Sequence, residues 1–112
     1  MAVTSVRLAP EWGTDPLWVD GDNWGVEETA AELALPADLV ARIMRWDDEF
    51  QDVYDPDDPG GSDFPDAETE TRWRERGREL ARELAAVLGP KVEVRLSAAG
   101  LRETIQEGAA DD

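Results

Sequence analysis

Two apolar stripes at helical spacing, held apart by a stretch that cannot be helical, constrain this chain more than anything else in it. Leu39, Ile43, Trp46, Phe50 and Tyr54 recur every three or four residues, the interval that sets side chains on one face of an α-helix. Val40 and Met44 border this stripe, and Pro36 suits a first helical turn, where its missing N–H costs no bond. Trp73, Leu80, Leu84 and Leu88 form the second stripe, with Ala81 and Val87 beside it, and Gly89-Pro90 stops it. The spacing predicts helices over residues 35–54 and 66–88. Gly77 falls on the apolar face of the second, where the absent side chain lets the first helix approach closely.

The separating stretch reads DVYDPDDPGGSDFPD over residues 52–66. Pro56 and Pro59 oppose a helix, Gly60-Gly61 permits a turn, and Asp63 to Asp66 offer carboxylates to cap the second helix. Its six aspartates stand with no Lys or Arg among them, so a connector accounts for the backbone and leaves the charge unexplained.

Strand patterns flank the helices. Val3 to Leu8 has β-branched, alternating character and ends at Pro10. Pro16-Leu17-Trp18-Val19 reads as a second strand before the turn-forming Asp20-Gly21-Asp22-Asn23, and Lys91 to Leu96 alternates polar with apolar residues. The expected fold is therefore α+β: a small antiparallel sheet of two or three strands, covered on one face by two helices with an acidic Pro/Gly connector. Leu101 and Ile105, four apart, suggest a short continuing helix. One domain is expected over residues 1–106, with 107–112 as a flexible tail.

Chemistry is bounded first by what is missing. The chain of 112 residues has no Cys and no His, which removes disulfides, thiolate nucleophiles, cysteine-bound zinc and imidazole bases. No phosphate-cradling glycine motif occurs, and no cofactor is expected. Calcium is the obvious metal for so many carboxylates, yet an EF-hand count from Asp55 puts Pro59 at the fifth position and Asp66 where a bidentate Glu belongs. The Asp20 to Gly25 run places Trp24 at the fifth position and fits worse. A carboxylate-dependent hydrolase needs two acids at a controlled separation with one pKa raised, and abundance of acid supplies neither.

The formal charge is −16, from 27 acids against 11 bases, with −13 carried by residues 1–65 and −3 by residues 66–112. Such a balance disfavours nucleic-acid phosphates and anionic membranes and favours a basic protein. Neither a basic leader nor an apolar run of membrane-spanning length is evident, so a cytoplasmic location is expected. Five tryptophans add a second signal. Trp46 and Trp73 fall on the helical stripes and belong to a core, whereas Trp12, Trp18 and Trp24 lie near turns or short strands in the acidic half. An aromatic anchor ringed by carboxylates suits capture of a basic surface. The expected function is a non-catalytic acidic binding module acting by occlusion, a stoichiometric inhibitor or toxin-immunity protein, with Trp18, Trp24, Asp57 and Asp58 as partner contacts. Alternative readings are a nucleic-acid mimic that competes for a basic groove, a calcium-binding protein and a small hydrolase.

The strings PLWVDGDN, LPADL, RWDDEF, DPDDPGGSDFP and GRELARELAAVLGP, with VEV at 92–94, span most of residues 16–96. They resemble a group of small acidic, Trp-containing actinobacterial proteins. Trp18, Trp46, Asp57, Asp58, Pro59, Phe64, Gly77, Leu88 and Gly89 carry the match. The resemblance implies a Leu-Trp segment, a helix, an acidic Pro/Gly connector and a second helix ending near Leu-Gly-Pro.

Overall fold

The computed structural model describes residues 4–11, 15–53, 64, 66–98 and 101–107. Its elements run β1 (Ser5–Leu8), β2 (Leu17–Val19), β3 (Asp22–Asn23), α1 (Val26–Leu33), α2 (Ala37–Val53), α3 (Ala67–Leu88), β4 (Glu93–Ala98) and β5 (Leu101–Gln106). The class is α+β, as the patterning predicts, but among the described residues the sheet has five strands in the order β3-β2-β1-β4-β5 and there are three helices. The central β1–β4 pair is parallel and every other pair antiparallel. The helices lie between β1 and β4 in sequence, and a parallel pair requires such a crossover.

Strand alternation decides which face meets the helices. Val6 and Leu8 of β1, Leu17 and Val19 of β2, and Val94, Leu96 and Ala98 of β4 are buried, while the residues between them are not. The helical stripes pack on that face through Leu39, Ile43, Leu80, Ala81 and Leu84. Asp20 and Gly21 link β2 to β3 with φ of 49° and 90°, the two-residue hairpin geometry whose twist matches the flanking strands.

The α2–α3 seam is aromatic. Trp46 and Trp73 stack with ring centroids 4.5 Å apart and planes 7° from parallel. Each indole N–H donates to the other residue's carbonyl oxygen, Trp46 to Trp73 at 2.8 Å and Trp73 to Trp46 at 3.0 Å. Both polar groups are thereby satisfied inside an apolar layer, where an unpaired one would cost roughly 1–3 kcal/mol. Phe50 and Phe64 close on the Trp73 ring at 5.6 and 5.0 Å. Gly77 permits the approach: a Cβ there would sit 2.6 Å from Trp46 Cζ2. Asp66 caps α3 by accepting from the Thr69 N–H at 2.7 Å, and this bond lowers its pKa.

Two expectations need correction. Residues 101–106 form β5, not a helix, because they pair antiparallel with β4; a register irregularity between Val94 and Arg95 accompanies that pairing. Gln106 then donates from Nε2 to the carbonyls of Gly89 and Val92 at 2.7 and 2.8 Å, tying the strand to the α3–β4 turn. The sheet also exceeds the expected two or three strands, since β3 and β5 extend it at both edges. Tyr54, the connector over residues 54–63 and the tail beyond Glu107 lie outside the described residues.

Candidate docking surface

The acidic half supplies its surface around α1. Gly25 precedes this helix and offers no side-chain cap, so the first turn takes one from elsewhere: Asp15 Oδ2 accepts from the Val26 N–H at 2.9 Å. Thr29 is fully buried and donates its hydroxyl to the Gly25 carbonyl at 2.9 Å. Val26 is buried beside it, and Ala30 and Leu33 pack against the core. One side of α1 is therefore turned inward, and Glu27, Glu28 and Glu32 stay exposed on the other.

Trp24 lies at the mouth of this helix. Its backbone N–H donates to the Leu17 carbonyl at 3.2 Å, and its side chain, half-buried, packs at the rim of the core. With Glu28, Ala31 and Glu32 it lines a shallow recess of about 350 Å³. Asp22, Glu27, Glu28 and Glu32 make no ion pair among the described residues. Aromatic area and uncompensated carboxylate charge thus meet at one place, a combination suited to desolvating an apolar anchor while engaging Lys or Arg at its edge.

Trp18 occupies different ground. It is half-buried on β2, its indole N–H donates to the Ala9 carbonyl at 3.0 Å, and the Arg7 guanidinium carbon stands 5.1 Å above its ring. Its sheet neighbours Leu17 and Val19 point into the helix-covered core, so Trp18 faces away from the helices and from the Trp24 recess. The two tryptophans expected as contacts are not brought together. Asp57 and Asp58 lie outside the described residues, as does Trp12.

Neighbouring acids also divide. Asp20 Oδ1 accepts from the N–H groups of Thr4 and Ser5 at 3.0 and 2.9 Å and from the Thr4 hydroxyl at 2.7 Å. These bonds, led by the hydroxyl, hold its pKa below the usual value. Asp15 and Asp20 are thus fold-forming carboxylates. The sequence patterns do not single out Glu32, because they do not mark α1 itself; the three- and four-residue spacing of Val26, Ala30 and Leu33, with acids in the first turn, is the signal that finds it.

A third acid differs in kind. Asp47 of α2 is buried, and burial first, with Asp15 and Asp48 adding repulsion, pushes its pKa up to about 6 against a hydrogen bond from Gln51. Gln51 Nε2 donates to Asp47 Oδ1 at 3.3 Å and to the Glu11 carbonyl at 2.8 Å, so this carboxylate helps hold Gln51 of α2 against Glu11. Among the described residues no cluster of three or more acids is placed to hold a metal ion, and no helix is long and apolar enough to cross a membrane.

Comparison with curated proteins finds no match. The protein family described as Serratia CdiI immunity protein-like matches residues 4–98, from the start of β1 through the end of β4. That span holds the aromatic seam, α1 and the Trp24 recess, and the chain belongs to the Serratia CdiI immunity protein-like family.

Proposed function

We propose that this protein is a non-catalytic immunity protein that binds a toxin domain stoichiometrically and occludes a basic surface on it. The observation that carries the reading is the Trp24 recess, an aromatic side chain bordered by Glu28 and Glu32, neither of which is in an ion pair among the described residues. Family membership supports the immunity role, and the charge of −16 supports a basic partner. In the bound state, Trp24 buries its exposed edge against the toxin. The carboxylates of α1 meet Lys or Arg groups at the rim, where they steer association more than they hold the complex.

The test is equilibrium binding of the full chain to its toxin domain. Trp24→Ala is expected to weaken binding by roughly tenfold or more, and the Glu28→Gln/Glu32→Gln pair chiefly to slow association and flatten its salt dependence. The pair leaves the core untouched, so it separates lost contact from lost fold. Asp57→Asn/Asp58→Asn in the same assay decides whether the connector joins the contact. Wild-type affinity in Trp24→Ala and in the α1 pair together would remove this surface from the interface.

A further inference from the structure

The sheet face turned away from the helices carries the opposite charge to the rest of the molecule. Arg7 of β1 stands in register with Trp18 of β2 on one side and with Arg95 of β4 on the other. Arg95 pairs in turn with Thr104, and Arg102 with Ser97, across β4 and β5. Alternation sends all of these opposite to the buried Val6, Leu8, Val94 and Leu96. Three of the chain's 11 basic residues therefore share one face with a tryptophan.

Fold stability does not ask for this arrangement. Like charges side by side in a sheet are destabilising, yet Arg7 and Arg95 are placed so while Glu27, Glu28 and Glu32 of α1 make no ion pair among the described residues. Arg95 is tied to Glu93 of its own strand at 3.0 Å. Among the described residues Arg7 has only the Trp18 ring, and Arg102 has no ion pair. Shallow recesses of about 240 and 160 Å³ flank the Arg7–Arg95 pair, the first reaching Arg102 and the second Trp18.

We propose that this open face is a second docking surface, separate from the Trp24 recess, and that its occupant is a carboxylate-rich segment of a protein. Guanidinium groups at Arg7 and Arg102 each offer paired N–H donors matched to a carboxylate, Arg95, whose fork is held by Glu93, adds positive charge between them, and Trp18 gives an apolar residue of the segment a flat surface to cover. A second copy of this chain meeting the same face would set arginines against arginines. A polynucleotide is also disfavoured: the basic patch is local, and phosphates beyond a screening distance of about 8 Å would meet the field of a chain with net charge −16. An acidic segment of about three or four residues spans little more than the patch itself and ends before that field matters.

The probe is a fluorescein-labelled tetrapeptide of Glu, Asp and a single Tyr, titrated with the full chain and followed by anisotropy and by the Trp18 indole N–H resonance. Saturable binding that weakens with salt is expected, with a loss of about fivefold in Arg102→Gln and a larger loss in Arg7→Gln/Arg102→Gln. Arg72→Gln, an exposed change on α3, is expected to bind as wild type, and Trp24→Ala likewise, which keeps this surface distinct from the proposed toxin contact. Arg102 is exposed, so its variant reads binding and not folding. Absence of saturable binding, equal loss in Arg72→Gln, an unmoved Trp18 resonance, or tighter binding of a 20-base-pair DNA duplex than of the peptide would each overturn the proposal.

Discussion

Trp73 and Trp24 are the same residue type in one small protein, and their surroundings are opposite. Trp73 is fully buried, stacked on Trp46, flanked by Phe50 and Phe64, and its N–H is bonded. Trp24 sits half-buried at a helix mouth with carboxylates beside it. The seam spends aromatic area on the fold; the rim keeps part of it available. This contrast teaches that tryptophan content alone does not mark an interface; the proposed contact needs a tryptophan whose edge is uncovered beside carboxylates, and Trp24 has that setting while Trp73 does not. It also gives a scale on which substitutions can be ordered.

Trp73→Ala is expected to have the largest effect, a loss of about 3–5 kcal/mol, because it removes a fully buried ring and strips the Trp46 indole of its stacking partner. Urea unfolding followed by circular dichroism measures it. A loss no greater than that of Trp24→Ala would erase the distinction between seam and rim.

Gly77→Ala comes next. The added Cβ meets Trp46 Cζ2 at 2.6 Å, and that atom belongs to a rigid ring held by a hydrogen bond, not to the free end of a flexible chain. Overpacking of this kind costs about 1–3 kcal/mol, although the better helix propensity of alanine offsets up to about 1 kcal/mol. An unchanged unfolding midpoint would show that the two helices are not held as closely as their stacked rings require.

How far sequence reaches obeys the same division. The stripes of α2 and α3 are legible because wide apolar faces repeat over many turns, and Gly77 is legible because it interrupts one of them. α1 is not, since its inward face includes Thr29, a residue that reads as polar until its hydroxyl is seen bonded to the Gly25 carbonyl. β5 resembles a helix because Leu101 and Ile105 are four apart, and only pairing with β4 overrides that spacing. The parallel β1–β4 contact joins residues nearly ninety positions apart, which no local pattern encodes. At the site, Trp24 is marked by its position beside a turn, but Asp15 and Asp20 cannot be told from Glu28 until their hydrogen bonds are known.

Asp47 sharpens the comparison among carboxylates. Its folded pKa of about 6 lies above the ordinary 3.8, so the folded state binds a proton between these values when the unfolded state does not. Stability therefore rises as pH falls from about 6 towards 4 on account of this group, and the penalty is fully present at neutral pH. Asp20, Asp66, Glu83 and Glu103 act oppositely: hydrogen bonds lower their pKa values, and their contributions vanish as pH falls through those lowered values. Asp47→Asn keeps an acceptor for Gln51 and is expected to raise stability at pH 7.5 by on the order of 1–2 kcal/mol. It should also abolish the local gain between pH 6 and 4. A variant whose pH profile parallels wild type would assign that gain to the general easing of charge repulsion instead.

The smallest expected effect lies at the outer edge of the seam. Arg42 of α2 reaches Glu83 of α3 with two bonds, at 2.5 and 2.8 Å, and also meets Asp38 one turn earlier. The Arg42 contact lowers the Glu83 pKa below its ordinary 4.5, so the contribution is present above that value and is lost as pH falls through the lowered one. Yet the Arg42 and Glu83 side chains are 37% and 45% exposed, and water and salt screen such a pair strongly. A double-mutant cycle with Arg42→Gln and Glu83→Gln is expected to give a coupling far below the loss from Trp73→Ala, shrinking further in half-molar salt. A salt-independent coupling approaching that of the aromatic pair would mean that the helices are clamped at their exposed edge, and the seam would no longer be what distinguishes them from the rim around Trp24.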